Sequence, residues 1–326
     1  MHRAFANCIP IRAGQKQPSS QPQGVFDGNF NCQSAKVISG VQRIPKQSVS
    51  HGKARRYNLL TMTNAQNIKV AVHGAAGRVG REVLRAVDAA PDMTLVAAID
   101  RVPLNELKPL PANVPYYTDA RMGYRAAGAD VVVDFSIAAA SFPMVPLALA
   151  AGTRPVIGTT GFTKDQISFL SAQCLEHQLG GLLAPNFTIG AVLLGTLAAM
   201  AAPYFDYVDI YEEHHEMKVD APSGTALGIA KSIQDAHPEA FTHNEPAREP
   251  LSGTRGGNYN GMSIHSSRMP GRMAHHQVTF GGAGQTLMLR HDTNNRECYM
   301  PGVLLAVRKV MGLEGLTVGL DKLMGL

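Results

Sequence analysis

Cysteine is scarce and scattered in this 326-residue chain: Cys8, Cys32, Cys174 and Cys298 lie far apart with no C-x-x-C spacing, and no H-E-x-x-H run occurs. Those absences exclude the common zinc motifs, and no metal is expected. No stretch approaches the roughly 18 consecutive apolar residues of a membrane span, so none is expected. Residues 1–60 almost lack acid. Nine Lys or Arg, from Arg3 to Arg56, face the single Asp27, amid many Ser and Gln and no sustained hydrophobic period. An apolar run of about 7 to 15 residues, which a secretory signal requires, is missing, so residues 1–64 read as an organelle transit peptide. The competing readings are a disordered cytosolic tail or initiation at Met62. This segment also accounts for the basic pI of about 9.0 and the net charge of +5. The remainder is net acidic, and charge gives no argument for nucleic acid.

No internal repeat is visible, and 45% apolar content is enough for two cores. Short apolar strands are expected at Ile68 to His73, Thr94 to Ile99, Asp130 to Phe135, Thr153 to Ile157 and Gly181 to Ala184. Helical stretches separate them, which suits a parallel sheet covered on both faces. The first strand runs into Gly74-Ala75-Ala76-Gly77-Arg78-Val79-Gly80 and then a helix over Arg81 to Ala90. Strand, glycine turn and helix is the context in which backbone N–H groups cradle a pyrophosphate, although the spacing is G-x-x-G-x-x-G. The second strand ends in Asp100-Arg101, where an acid meets a ribose hydroxyl and a base meets a 2′-phosphate; both NADH and NADPH fit that pair. Gly158-Thr159-Thr160-Gly161 and Ala184-Pro185-Asn186-Phe187 follow strand ends, where an open α/β sheet forms its ligand crevice.

Downstream the character changes. Gly253 to Gly261 looks like loop, whereas Met262 to Ser266, His276 to Phe280 and Thr286 to His291 look like strands of a mixed or antiparallel sheet. A final helix is expected over Pro301 to Met311, with its proline in the first turn.

Titratable groups are densest in Tyr211 to Leu227, YEEHHEMKVDAPSGTAL, between an expected strand over Phe205 to Glu213 and a helix over Ala226 to Ala236. Pro222-Ser223-Gly224-Thr225 offers a rigid turn, a capping hydroxyl and an open backbone, and the helix start behind it suits a carboxylate or phosphate. Were His214 to Lys218 extended, their side chains would stand about 13 Å apart. Either the chain curls there or only one of them acts. His214-His215 is a poor chelating pair, because adjacent strand residues face opposite ways.

The run Glu213 to Ala226, with Val72 to Arg81, Gly158 to Gly161 and Ala184 to Phe187, resembles the 4-hydroxy-tetrahydrodipicolinate reductase family, from about Ile68 to the C-terminus. The tail, Leu289 to Thr293 and Cys298 to Leu305, is similar to its cyanobacterial branch. The resemblance implies an α/β protein with a Rossmann-like parallel-sheet domain over 65–187 and 301–326. A second, α+β domain with an open mixed sheet over 188–300 would bind substrate and build a homotetramer. It implies hydride transfer from NADPH or NADH to a small cyclic imine dicarboxylate in the diaminopimelate route to lysine, hence a plastid stroma address. His214 would be the proton donor and acceptor and Lys218 a proton donor. His215, Ser223, Gly224 and Thr225 would hold substrate. Gly74, Ala75, Ala76, Gly77, Arg78, Val79, Asp100, Arg101, Gly158, Thr159, Thr160, Ala184, Pro185, Asn186 and Phe187 would line the dinucleotide, with His73 near the pyrophosphate. Neither nucleic acid nor membrane is an expected partner. The other readings are a different nicotinamide oxidoreductase of amino-acid metabolism and a non-catalytic dinucleotide-binding sensor.

Overall fold

The computed structural model describes residues 67–110 and 112–326; the expected transit peptide lies outside the described residues. The chain opens with β1 (Ile68–His73), α1 (Arg78–Asp88), β2 (Met93–Ile99), β3 (Tyr116–Tyr117), α2 (Ala120–Ala127), β4 (Val131–Asp134) and α3 (Ala138–Ala150). It continues through β5 (Arg154–Ile157), α4 (Lys164–Glu176) and β6 (Gly181–Leu183). The second half runs α5 (Ile189–Ala201), β7 (Tyr207–His214), α6 (Gly224–Ala236), β8 (Gly257–Tyr259), β9 (Met262–Arg268), β10 (Ala274–Gly282) and β11 (Gln285–Thr293). It then closes with α7 (Met300–Val310), β12 (Leu316–Val318) and α8 (Leu320–Met324).

The parallel strands form one seven-stranded sheet in the order β12-β6-β5-β4-β1-β2-β3. The chain reverses direction across the sheet between β1 and β4, the switch point where such sheets open a crevice. Central strands buried on both faces need apolar residues throughout, and Val131 to Val133 and Val70 to Val72 supply them. One face packs α1, α7 and α8 through Val83, Leu84, Val303 and Val307; the other packs α2 and α3 around Tyr124 and Ala148. Each fully buried valine of α7 contributes about 1.5 to 3 kcal/mol of burial, which fastens this late helix to the first sheet. Gly302 permits the contact, since a Cβ there would sit 2.0 Å from the Phe187 carbonyl oxygen.

The second sheet is mixed, in the order β11-β10-β7-β9-β8, with β7 and β9 parallel and the other pairs antiparallel. Helices α5 and α6 cover one face through Leu194, Ala198, Ile229 and Ile233, packed on Val208, Ile210, Val278 and Phe280. Its other face carries Tyr207, Tyr211 and Met288, all exposed.

Three strands differ from the sequence expectation. β3 has two residues and β12 three, too short for an alternation pattern, and each adds to the edge of an existing sheet. β8 lies inside the stretch read as loop, where Gly257 to Tyr259 zip antiparallel onto β9. α1 starts three residues earlier than expected, because Gly77 serves as N-cap and Gly80 is inside the helix.

Candidate active site

Strand β7 alternates strictly: Val208, Ile210, Glu212 and His214 are buried on the helix-covered side. The apolar face of the strand therefore ends in a carboxylate and an imidazole. Beyond His214 the chain leaves the sheet in a turn, with the Lys218 N–H donating to the His215 carbonyl at 3.1 Å. This curl resolves the two sequence alternatives, since His214, His215 and Lys218 all line one cavity of about 300 Å³. Lys218 Nζ is held 2.6 Å from Asp220 Oδ1.

The α6 start forms a second wall. Ser223 Oγ accepts from the Ala226 N–H at 3.1 Å, the N-cap bond expected of it, and also lies 3.2 Å from His276 Nε2. Ser223 is thus buried behind the cavity, while Thr225 lines it and Gly224 is exposed. Pro185 and Asn186, which follow β6, form a third wall. Residues with no assigned role in the sequence close the rest: His276, His291, Asn295, Arg296 and Tyr299. His276 shares a strand face with Val278 and Phe280, and that alternation was the signal available for it. Arg296 follows a short polar turn without local pattern. No Asp or Glu is among the lining residues, whereas Lys218, Arg296 and four histidines are. Such a cavity favours an anion.

Behind it sits a buried polar network. Arg268 donates from Nη2 to Glu212 Oε1 at 2.8 Å and from Nη1 to Oε2 at 3.1 Å, and His214 Nδ1 meets Oε2 in a short contact. Burial by itself would raise the Glu212 carboxyl, but the hydrogen bonds from His214 and Arg268 outweigh it and bring it down to about 2. Burial pushes His276 down from 6.5 to about 4, and the neighbouring His214 adds to the effect. Glu212, His214 and His276 offer three ligand atoms within 4.8 Å of one another, but the guanidinium already occupies both carboxylate oxygens, a poor setting for a second cation.

These shifts predict an acid-sensitive fold. Between pH 6.5 and about 4 the unfolded chain takes up a proton at His276 that the folded chain refuses. Stability should therefore fall as pH is lowered through that window. Glu212 acts in the same direction, because its unfolded carboxyl protonates near 4.5 and its folded one near 2. Melting followed by circular dichroism should show Tm dropping from pH 7 to 4. His276→Gln should flatten the upper part of that slope, and an unchanged slope would remove His276 as its source.

At the carboxyl end of the first sheet the glycine turn divides its labour. Gly74 takes φ +79°, Gly77 caps α1 with no side chain, and Gly80 lets the helix rest on the turn, since a Cβ there would meet the Gly74 carbonyl oxygen at 2.0 Å. The uncapped first-turn N–H groups suit a pyrophosphate. Asp100 ties this turn down: Oδ2 accepts from the Ala76 N–H at 2.9 Å and Oδ1 from the Val102 N–H at 3.3 Å. Arg78, Arg101 and Thr160 are exposed, and Thr159 Oγ1 accepts from the Ser136 N–H at 2.8 Å. Ala184 and Phe187 are buried, Phe187 edge-on to Phe135 at 5.4 Å, so their side chains serve the core. His73 is buried against Asp134 at 2.9 Å. Of the sequence-derived candidates, His214, His215, Lys218, Thr225, Pro185 and Asn186 share the cavity; the glycine turn, Asp100, Arg101 and Gly158 to Thr160 lie outside its lining.

Family models for the N-terminus and C-terminus of dihydrodipicolinate reductase match residues 68–187 and 190–324. Among curated relatives, the 4-hydroxy-tetrahydrodipicolinate reductase of Cyanothece sp. is 46% identical over 278 residues, covering 81% of this chain and all of the relative. That of Dehalococcoides mccartyi is 43% identical over 262 residues, covering 79% and 99%. Among solved structures, the dipicolinate-bound dihydrodipicolinate reductase of Paenisporosarcina sp. TG-14 superposes with a TM-score of 0.73 at 40% identity, over 78% of this chain and 99% of that one. An amine dehydrogenase of Mycobacterium smegmatis, at 12% identity and a TM-score of 0.54, shares the fold. Two family models that together span most of the chain, and relatives matched over nearly their whole length, show that the chain belongs to the dihydrodipicolinate reductase family.

Proposed function

We propose that this chain reduces 4-hydroxy-tetrahydrodipicolinate to tetrahydrodipicolinate with NADPH or NADH, in the diaminopimelate route to lysine. The observation that carries the reading is the acid-free cavity, in which His214, Lys218 and the α6 start converge beside the segment following β6. Bound at the glycine turn, a nicotinamide dinucleotide would supply the hydride. The turn from Gly74 to Val79 and the α1 N–H groups would hold its pyrophosphate. Asp100 and Arg101 would serve its ribose, and Gly158 to Thr160 and Ala184 to Phe187 would line its bed.

Loss of the 4-hydroxyl as water leaves a conjugated imine; hydride addition to it builds electron density that a proton must meet, and His214 provides it, with Lys218 as the second donor. The Gly224 and Thr225 backbone grips one carboxylate at the helix start, and Lys218 and His215 add positive charge for the other. Ser223 acts indirectly, through the cap that shapes that helix start. The Thr225 side chain lines the cavity, and its hydroxyl adds one donor to that grip, so Thr225→Val should mainly raise the substrate KM, by roughly 10-fold for one lost hydrogen bond to a charged group, with kcat within about 2-fold. A kcat loss at unchanged KM would take Thr225 out of ground-state binding.

The exposed face of the second sheet, with Tyr207, Tyr211 and Met288, supports assembly into a homotetramer, which light scattering would read. Among the described residues, no helix is long and apolar enough to cross a membrane. The basic, acid-poor first sixty residues support import into a plastid, testable by fusing them to a fluorescent protein.

The function is tested by a coupled assay. Substrate is made in situ from pyruvate and aspartate semialdehyde by a purified synthase, and NADPH and NADH loss is followed at 340 nm in parallel. Oxidation that depends on the synthase is expected. Nucleotide binding without synthase-dependent oxidation would overturn the proposal.

A further inference from the structure

Glu212 is two residues before His214 on β7, so both point to the same side of the sheet. Its carboxylate is completely buried and faces four donors. Besides the two Arg268 bonds and His214 Nδ1, the Ser223 N–H reaches Oε1 at 3.3 Å. The strand register brings these groups together, with Arg268 opposite His214 on β9 and His276 opposite Glu212 on β10. Arg268 continues outward, donating from Nη2 to the Asp220 carbonyl at 2.5 Å, so the same guanidinium fastens the loop that carries Lys218.

An ionised carboxylate only accepts. The His214 nitrogen facing it must then carry a hydrogen. We infer, building on the proposed reaction, that Glu212 is the positioning residue for His214: it holds Nδ1 as the N–H and leaves Nε2 as the nitrogen that exchanges protons in the cavity. In the reducing direction the Nε2–H bond of the imidazolium breaks as its proton joins the ring system receiving the hydride. The imidazole left behind is neutral, keeps Nδ1–H on Glu212, and reloads at Nε2 from water. Glu212 itself stays ionised throughout, because Arg268 and the Ser223 N–H hold the negative charge in place. Ser223 connects this arrangement to the substrate grip, since its N–H leans on Glu212 while its hydroxyl caps α6. One buried carboxylate thereby registers the proton donor against the helix start that takes the substrate carboxylate. The groups facing His214 and Glu212 from the surrounding elements are Arg268 on β9, His276 on β10 and the Ser223 cap of α6.

The first test needs no variant of Glu212 and no turnover. In the full chain labelled with ¹⁵N-histidine and free of ligands, long-range ¹H–¹⁵N correlation identifies the tautomer of each ring, and the His214→Gln spectrum assigns His214 by its missing signals. Neutral His214 in the Nδ1–H form is expected, and the Nε2–H form would overturn the inference. The second test is a double-mutant cycle. Glu212→Gln should lower kcat by roughly 10-fold or more with substrate KM within about 3-fold, NADPH binding serving as the check on folding. On a His214→Gln background it should cost at most about 2-fold more. A full, additive loss on that background would mean that Glu212 acts through something other than His214. Failure of the proposed reaction appears separately, as absence of turnover in the unmodified chain whatever the tautomer.

Discussion

His214→Gln should lower kcat by about 100-fold or more, with substrate KM and NADPH affinity each within about 3-fold. The expectation follows from where the ring sits. His214 lines the acid-free cavity with one nitrogen committed to Glu212, so the variant keeps the shape and hydrogen-bond reach of the side chain near that carboxylate but carries no exchangeable proton of suitable acidity. Gln is the right replacement because its amide can still donate to Glu212, sparing the buried carboxylate from losing a partner. Stopped-flow or steady-state rates with in situ substrate, alongside nucleotide fluorescence titration, separate the two quantities. Activity equal to that of the unmodified chain would remove His214 from the chemistry. A loss confined to KM would reassign it to substrate binding.

The second large effect is expected at the glycine turn. Gly74→Ala places a side chain at φ +79°, where L residues are strained by roughly 1 to 2 kcal/mol, and drives its Cβ to 2.5 Å from the Phe135 carbonyl oxygen. Backbone on both sides must move. The turn proposed to hold the dinucleotide would be displaced, so NADPH affinity should fall by about 100-fold or more and unfolding should become easier by about 3 kcal/mol. Gly128→Ala is the control. Gly128 ends α2 at φ +53°, but its Cβ position is open, so only the conformational cost applies, about 1 kcal/mol, and nucleotide affinity should stay as it was. Equal effects of the two substitutions, measured by chemical denaturation and nucleotide titration, would mean that close packing under the turn is not what shapes it.

The sequence was legible where short-range pattern decides structure. The apolar runs at β1, β2, β4 and β5 fall within one or two residues of expectation, because strands buried on both faces must be continuous blocks of Val, Ile and Ala. The Pro-Ser-Gly-Thr turn announced the α6 cap for an equally local reason, a hydroxyl placed three residues before an N–H. Strands β3, β8 and β12 escaped, since two or three residues carry no period and their pairing comes from neighbours distant in sequence. The candidate site divides along the same line. His214, His215, Lys218 and Thr225 lie within twelve residues, and their spacing could be read directly. Arg268 and His276 meet Glu212 only because β9 and β10 flank β7, a register set by long-range pairing. Their one local trace is alternation: the apolar faces of β7 and β10 run into Glu212, His214 and His276, so those side chains had to be buried and therefore paired.

Isotope tracing follows the hydride itself. With NADPH deuterated at the transferring position of its nicotinamide and substrate supplied by the synthase, tetrahydrodipicolinate should be heavier by one mass unit and form in equal amount to the nucleotide oxidised. Nucleotide oxidation without deuterium in the product, or no product despite bound nucleotide, would contradict the proposed hydride transfer.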